Sequence, residues 1–208
     1  MSATAGSRGR RTESELVADV RSAVLEELAE VGVGRLTMEG VAKRAATAKT
    51  SLYRHWGTPH DILLDALEHE FPQEPVSPNS DNLREDLIRS LRLMTEWLAT
   101  PTARAVASII SEQARYPELT RAVYANIFDA KGGRFTRTVL SHYAEHGWFS
   151  AELVTPVVAD IGEALVLKHA LDAGALPDAD VLAAIVDQAI LPAVGVAAPA
   201  GSRHAEET

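Results

Sequence analysis

The sequence of 208 residues contains no cysteine, and this absence removes several classes of protein from consideration. Without thiols the chain has no disulfide framework, no thiolate metal centre and no cysteine nucleophile. The absence also suits a reducing cytoplasm, where we expect the protein to reside. No uninterrupted apolar segment approaches the roughly 18 residues that a membrane-spanning helix requires, so we expect no membrane partner. The arginines near the N-terminus are followed by no apolar run, which argues against a secretory signal.

Sequence motifs of common enzymes are also absent. The chain has neither common type of glycine-rich phosphate loop and no nucleophile elbow. The segment His142-Tyr143-Ala144-Glu145-His146 matches the His-x-x-Glu-His pattern of one metallopeptidase class, in which two imidazoles four residues apart share a zinc ion. However, histidines directly before Gly147 also suit a helix C-terminus electrostatically, and no compelling third ligand follows. We therefore expect no enzymatic activity, no metal and no cofactor, although an enzyme using scattered carboxylates would leave no motif.

Charge is distributed unevenly along the chain. The formal net charge is −9, yet residues 1–60 hold nine Lys or Arg against seven Asp or Glu, a net of +2, whereas residues 61–208 carry a net of −11. A uniformly acidic protein would bind DNA poorly, because phosphates would repel it. The segregation allows the N-terminal part to meet a duplex while the acidic remainder stays away from it.

The most informative stretch is Leu36–Trp56, which predicts two short helices joined by a tight turn. The apolar positions that recur at helical spacing are Val41, Ala42 and Ala45 in the first half and Leu52 and Trp56 in the second. Thr47 is predicted to cap the second helix. The remaining positions of that helix carry donors, cations and one aromatic ring: Lys49, Thr50, Ser51, Tyr53, Arg54 and His55. A short cationic helix held by an apolar underside is what the major groove of DNA admits.

These residues resemble the hallmark of the TetR family of bacterial transcription regulators. Its members carry a threonine, a hydrophobic-Ala pair and, further on, Leu-Tyr-x-His followed by an aromatic residue. The matching residues here are Thr37, Val41-Ala42 and Leu52-Tyr53-Arg54-His55-Trp56. The resemblance implies an all-α fold, with an N-terminal three-helix helix-turn-helix head and a C-terminal helical body that binds ligand and dimerises. Ala46 stands where the family usually has a turn glycine, which predicts a slightly different turn, and Pro59 replaces the lysine that normally opens the fourth helix.

The resemblance also implies which residues contact DNA. The family uses the hydroxyl equivalent to Tyr53 and the neighbouring His55 on the phosphate backbone, while Lys49 and Thr50 occupy the positions nearest the base edges. Phosphate contacts give affinity and salt dependence, whereas base contacts give sequence choice. The predicted DNA contacts are Arg11, Thr37, Met38, Thr47, Lys49, Thr50, Ser51, Tyr53, Arg54 and His55.

The chain is predicted to divide into four parts. These are a disordered basic arm at 1–11, the DNA-binding head at 12–57, the helical body at 58–195 and a disordered tail at 196–208. The arm has two interpretations: a solvated tail, or a segment that touches phosphates or the minor groove through Arg11. Thr37 and Met38 would direct the start of the first helix of the pair towards a phosphate.

The body shows helical apolar spacing throughout and no strand-like alternation. After a proline-containing loop at 71–82, helices are predicted at 83–98, about 102–116, from 117, from 135, about 151–171 and 178–191. The last two are apolar over more than one face, so each needs two partners: its own core and the same helices of a second subunit. A buried central helix in a monomer is the alternative. The predicted dimer interface is Val157, Ile161, Leu165, Leu182, Ile185, Val186 and Ala189.

A small-molecule pocket is predicted among the larger side chains of the body, because mixed apolar and polar cavities between helices commonly bind ligands. The resemblance implies an effector between the fourth and eighth helices. The pocket candidates are Trp97, Tyr124, Phe128 and His142, each of which also fits ordinary core packing.

The sequence therefore predicts an all-α homodimeric transcription regulator that binds a palindromic double-stranded operator, as a repressor that a small-molecule effector releases. A helical ligand-binding protein or enzyme, whose basic segment is only a solvated face, is the alternative from another class. An activator, or a repressor that requires a co-repressor, would share the same sequence features.

Overall fold

The computed structural model describes residues 12–72, 81–131 and 134–197, and within these ranges it contains helices and turns but no strand. The predicted all-α fold class is confirmed. Arg11 with its arm, the centre of the proline-containing loop, the pair Gly132-Gly133 and most of the predicted tail lie outside the described residues. Among the described helices, none combines the length and apolar character needed to cross a membrane.

The helices are numbered in chain order. They are α1 (Glu13–Val31), α2 (Met38–Arg44), α3 (Lys49–Leu52), α4 (Pro59–Glu70), α5 (Leu83–Leu98), α6 (Pro101–Ser111), α7 (Pro117–Val123), α8 (Asp129–Lys131), α9 (Phe135–Glu145), α10 (Pro156–Ala159), α11 (Ile161–Ala173), α12 (Ala179–Ile185) and α13 (Leu191–Ala193). Short 3₁₀ turns lie at Val33–Arg35 and Ala151–Leu153. π-helical turns lie at Tyr124–Phe128, here called π1, and at Val186–Ile190.

The described chain forms two compact units. Unit 1 contains the described residues through Glu70 together with Arg104–Val123, and unit 2 contains Phe71–Ala103 with the described residues from Tyr124 onward. In unit 1, α1 packs on α2 and α4, and α4 packs on α7. In unit 2, α5 packs on α9, α11 and α12. The predicted head at 12–57 therefore belongs to a unit that also contains α4 and Arg104–Val123.

Reciprocal side-chain hydrogen bonds cap the starts of α1 and α4. Thr12 Oγ1 accepts from Glu15 N at 3.3 Å while the Glu15 carboxylate accepts from Thr12 N at 2.8 Å, a reciprocal capping box that opens α1. Thr58 and Asp61 make the same exchange at the start of α4, with distances of 2.8 and 3.1 Å. At its other end α1 stops at Gly32, whose φ of 76° is a conformation that side chains with a Cβ rarely adopt.

Two predicted features of the helices are wrong. Thr47 does not cap α3, because the helix begins one residue later with Ala48 at the capping position and without a side-chain hydrogen bond. The helix predicted from about 151 to 171 is broken into a 3₁₀ turn, α10 and α11. Pro156 cannot extend a preceding helix, since it has no N–H to donate, and Thr155 instead caps a new helix by accepting from Val158 N at 3.3 Å.

Close helix packing in unit 2 depends on Gly162 in α11. A Cβ at this position would collide with Thr136 Oγ1 of α9 and lie 2.8 Å from Leu91 Cδ2 of α5. Thr136 is fully buried, so it has little room to give way. The absence of a side chain at Gly162 therefore lets α11 approach α5 and α9 at backbone distance.

The tyrosine hydroxyl of Tyr143 joins α9 to the start of α5. It donates to Asp86 Oδ2 at 2.8 Å and accepts from Asn82 N at 3.0 Å. Tyr143 is 0% exposed and Asp86 is 2% exposed. Burial, followed by the hydrogen bond to Asp86, raises the pKa of Tyr143 to about 12. The fold therefore favours the neutral phenol.

We expect the protein to lose stability between about pH 10 and about pH 12, and Tyr143→Phe to reduce that loss. The folded pKa lies above the unfolded value near 10, so the unfolded state releases its proton first as the pH rises, and unfolding becomes more favourable. At neutral pH, Tyr143→Phe should cost about 1–2 kcal/mol, because Asp86 and the Asn82 N–H each lose a partner.

Urea unfolding at fixed protein concentration, at pH 8 and at pH 11, measures both effects. Tyr124→Phe is the matched control, since Tyr124 is 37% exposed. Equal alkaline losses for the protein and Tyr143→Phe would show that the Tyr143 hydroxyl contributes nothing to the pH dependence.

Candidate nucleic-acid interface

The pair α2 and α3 is held by an apolar underside, as the sequence predicts. Val41 of α2 and Leu52 of α3 are fully buried, and Trp56 is 8% exposed. The turn between the helices contains Ala46 with a φ of 49°, the left-handed region that favours glycine. The turn therefore keeps a left-handed residue although it lacks the glycine usual in the family.

A cationic surface of α3 and the following turn, here called the recognition face, consists of Lys49, Thr50, Tyr53 and Arg54. All four residues are exposed, and Tyr53 retains 53% of its accessible surface. Lys49 Nζ lies 5.8 Å from the centroid of the Tyr53 ring. Arg54 donates to Ser51 Oγ at 3.2 Å. Because all four side chains are exposed, they can donate hydrogen bonds to a ligand.

The carboxylate of Asp65 links the helices that support the recognition face. Asp65, on α4, accepts from Arg21 Nε and Nη2 of α1 at 3.0 and 2.9 Å. It also accepts from Trp56 Nε1 at 3.2 Å. One carboxylate thus ties together α1, α4 and the residue that follows the α3 turn. This bidentate pairing raises the pKa of Arg21, because the hydrogen bonds to Asp65 stabilise the charged guanidinium.

Arg44, a cation of α2, is paired with carboxylates of α1. Its Nε donates to Glu27 at 2.9 Å, and its guanidinium also pairs with Glu30 and, at 3.8 Å, with Glu26. These three carboxylates project from α1 and so lie outside residues 37–56, which hold four Lys or Arg and one Glu. The sequence signal that was missed is the spacing of the three glutamates, which places them on one side of a helix.

The other predicted contacts fall into distinct environments. Thr37 Oγ1 accepts from Gly40 N at 3.0 Å and caps α2. Met38 is 5% exposed, so its side chain belongs to the core of unit 1, and contact with a phosphate from this position would have to use its backbone. His55 Nε2 lies 3.7 Å from Glu13 Oε1, and its ring centroid is 5.2 Å from that of Trp56.

Three of the four pocket candidates lie together in unit 2. Phe128 has its ring centroid 6.2 Å from that of Trp97 and 5.1 Å from that of Tyr124, and Phe71 joins them at 5.3 Å from Phe128. His142 is placed elsewhere: its ring is paired with Tyr143 and His146. The sequence did not indicate that His142 would lie apart from the other three candidates.

The zinc hypothesis for the His-x-x-Glu-His segment gains no support. His146 Nδ1 lies 2.7 Å from the backbone oxygen of His142, so this ring nitrogen is already in a hydrogen bond. In residues 12–72, 81–131 and 134–197, no group of three or more His, Asp or Glu is placed to hold a metal ion.

The predicted dimer residues divide by burial. Val157 is 77% exposed and Leu165 is 38% exposed. Leu182, Ile185 and Val186 are 2%, 8% and 0% exposed, so they belong to the core of unit 2 and not to an open face. Ile161 and Ala189 are intermediate. Two further apolar residues of α11, Leu167 and Leu171, are 44% and 81% exposed and were not assigned from the sequence.

Comparison with known proteins gives a consistent result over most of the chain. A family profile described as "Tetracyclin repressor-like, C-terminal domain" matches residues 77–189, and one described as "Bacterial regulatory proteins, tetR family" matches residues 21–66. An uncharacterised HTH-type transcriptional regulator of Mycobacterium bovis is 27% identical over 182 residues, which cover 88% of this chain and 87% of the relative.

Two further relatives extend the comparison. The DNA-binding transcriptional repressor TetR of Mycobacteroides abscessus is 25% identical over 187 residues, covering 88% of this chain and 94% of the relative. The crystal structure of TetR family transcription regulator SCO0332 superposes with a TM-score of 0.58 at 26% identity, covering 85% of this chain and 97% of that chain.

Proposed function

The chain belongs to the TetR family of DNA-binding transcriptional regulators, and from that membership we propose that it is a homodimeric repressor of a palindromic operator, released by a small molecule. The observation that carries the proposal is the recognition face. Lys49, Thr50, Tyr53 and Arg54 are exposed on a helix whose other side is anchored by buried Leu52 and Trp56.

The chemistry of the recognition face suits a duplex. Lys49 and Arg54 supply positive charge to phosphates, and the Tyr53 hydroxyl supplies a further donor. Lys49 and Thr50 are consecutive residues in one turn of α3, so both can approach neighbouring base edges. The acids Glu26, Glu27 and Glu30 are engaged by Arg44, which reduces the repulsion that they would otherwise exert on phosphates.

Two copies are needed to recognise a palindrome. The heads of a dimer enter successive major grooves about 34–36 Å apart, and the symmetry of the operator follows from that of the protein. The side chains of Val157, Leu165 and Leu171 are apolar and exposed, and apolar surface is costly to leave in water. An isologous contact between two such surfaces would bury them.

Release by a ligand requires a difference in affinity between two states of the dimer. A hundredfold loss of DNA affinity needs about 2.7 kcal/mol of differential ligand binding. A ligand that prefers a conformation with the wrong head spacing would supply it.

Selection of bound fragments from the source genome, followed by footprinting, tests the proposal. We expect a recovered site with twofold symmetry and half-sites separated by about one helical turn or a multiple of it. Retention should fall steeply with added salt, by close to 0.9 in log affinity per log salt for each phosphate contact. A protein that retains no fragment at low ionic strength would support the alternative, a helical ligand-binding protein without DNA binding.

A further inference from the structure

A polar groove in unit 2 lies beside the start of α9. It has a volume of about 480 Å³ and is lined by Phe128, Asp129, Arg134, Arg137, Thr138 and Ser141. Arg134 is the N-cap residue of α9, and Arg137, Thr138 and Ser141 lie three, four and seven residues after it, so the four residues lie along one side of this helix. The volume falls within the range of about 300–1,000 Å³ that small-molecule sites occupy.

The groove carries a surplus of one positive charge. Arg134 Nε donates to Asp129 Oδ1 at 3.0 Å, and its guanidinium carbon lies 5.7 Å from the centroid of the Tyr124 ring. Arg137 is exposed, and no carboxylate in the described part of the chain pairs with it. Two guanidiniums thus face one carboxylate, although residues 61–208 as a whole carry a formal net charge of −11. This surplus suits a monoanion, because a second negative charge on a ligand would face Asp129.

The apolar side of the groove is continuous with the aromatic cluster of unit 2. Phe128 lines the groove and also contacts Trp97 and Tyr124, at the ring distances given above. Tyr124 and Phe128 stand at the two ends of π1, and π-helical turns are frequent at functional sites. The site therefore offers a planar hydrophobic surface next to its cations.

The indole of Trp97, which packs near Phe128, carries a buried donor. Its side chain is 8% exposed, and within the described residues its buried Nε1 has no hydrogen-bond acceptor. Buried donors in native proteins are nearly always paired, because an unmet hydrogen bond is costly.

We propose that the groove binds a small monocarboxylic acid with an apolar body. The carboxylate lies on Arg137 and Arg134, whose guanidiniums match its geometry, and the hydroxyl of Ser141 adds a donor. The apolar body packs on Phe128. This inference rests on the proposed function, since it names the chemical class of the effector.

Titration calorimetry without DNA tests the site. The probes are benzoate, octanoate and 2-naphthoate, each paired with its neutral amide, together with naphthalene-2,6-dicarboxylate. We expect at least one acid to bind about tenfold or more tightly than its amide, and the dicarboxylate to bind more weakly than 2-naphthoate. The proposal fails if no acid binds more tightly than its amide.

Variants separate the two parts of the site. Arg137→Ala should abolish the preference for acid over amide, Arg137→Lys should keep part of it, and Phe128→Ala should weaken acid and amide alike. Arg92→Ala, which removes an exposed arginine of α5 that does not line the groove, is the matched control. Circular dichroism confirms folding. An unchanged preference in Arg137→Ala would overturn the assignment.

A separate gel shift with the selected operator distinguishes failure of this inference from failure of the proposed function. Selective acid binding supports the site even if no duplex is retained. Failure to retain a duplex would refute only the proposed DNA binding. Retention of the operator together with no acid selectivity refutes the groove assignment and leaves the repressor intact. Loss of operator retention on addition of the acid, absent in Arg137→Ala, is the expected result.

Discussion

Replacing Lys49 and Tyr53 together with alanine is expected to lower affinity for the selected operator by about a hundredfold or more, with the dimer intact. Each substitution acts twice in a homodimer, and an individual base or phosphate contact is worth on the order of 1–3 kcal/mol. Both side chains are exposed, and the contact between them is a surface cation–π pair 5.8 Å long. Their loss therefore removes little of the packing that holds α3 in place.

Gel shift gives the affinity, and sedimentation gives the subunit number. Arg92→Ala removes the same unit of charge from α5 and should leave operator affinity nearly unchanged, because the charge it removes is not on the recognition face. Undiminished retention by the double alanine variant would refute the assigned recognition face.

Single variants should divide the two residues by role. Tyr53→Phe keeps the ring and removes the hydroxyl, so we expect a similar loss on all sequences if the hydroxyl meets a phosphate. The salt dependence should stay the same, because a neutral hydroxyl releases no counterion. Lys49→Ala should relax preference at particular operator positions if the ammonium reaches base edges. Equal effects of both variants on every duplex would assign Lys49 to the backbone as well.

Features that depend on a few neighbouring residues could be predicted from the sequence. The capping box at Thr12, the start of α4 at Pro59 and the end of α5 at Leu98 each follow from residues within about four positions. The apolar underside of α2 and α3 was equally accessible, because buried positions at helical spacing leave a pattern in sequence order.

Long-range partners left no such pattern. Arg44 meets Glu27 and Glu30, which precede it by 17 and 14 residues, and Asp65 meets Arg21 across 44 residues. A net-charge count over one segment cannot register such pairs. The break at Pro156 was missed for a different reason: uninterrupted apolar spacing outweighed the local effect of proline.

In the last helices, the periodicity of apolar residues does not predict which of them are buried. In a helix with polar residues on one side, the pattern predicts which side faces water, but in a helix that is apolar on two sides it does not. Leu182 and Leu171 look alike in the sequence, yet the first is 2% exposed and the second 81% exposed. Only the folded chain assigns one to the core of unit 2 and the other to its surface.

That division gives the second large prediction. Leu165→Glu combined with Leu171→Glu should produce a monomer at concentrations where the unaltered protein is a dimer. Two carboxylates per subunit would have to be desolvated at the contact that we propose. Because a monomer loses the gain from simultaneous binding of two half-sites, operator affinity should fall by about 10²–10⁴-fold. Ala107→Glu, which adds one carboxylate at an exposed position of α6, should change neither property.

Leu182→Ala supplies the contrasting result. If Leu182 belongs to the core, as its burial indicates, its truncation should destabilise each subunit by about 2–5 kcal/mol and leave the folded fraction dimeric. A stable monomer from Leu182→Ala, with a dimer persisting in the double glutamate variant, would reverse the assignment. The proposed interface would then have to involve a rearranged α12, because Leu182 has almost no surface to offer a second subunit in the present arrangement.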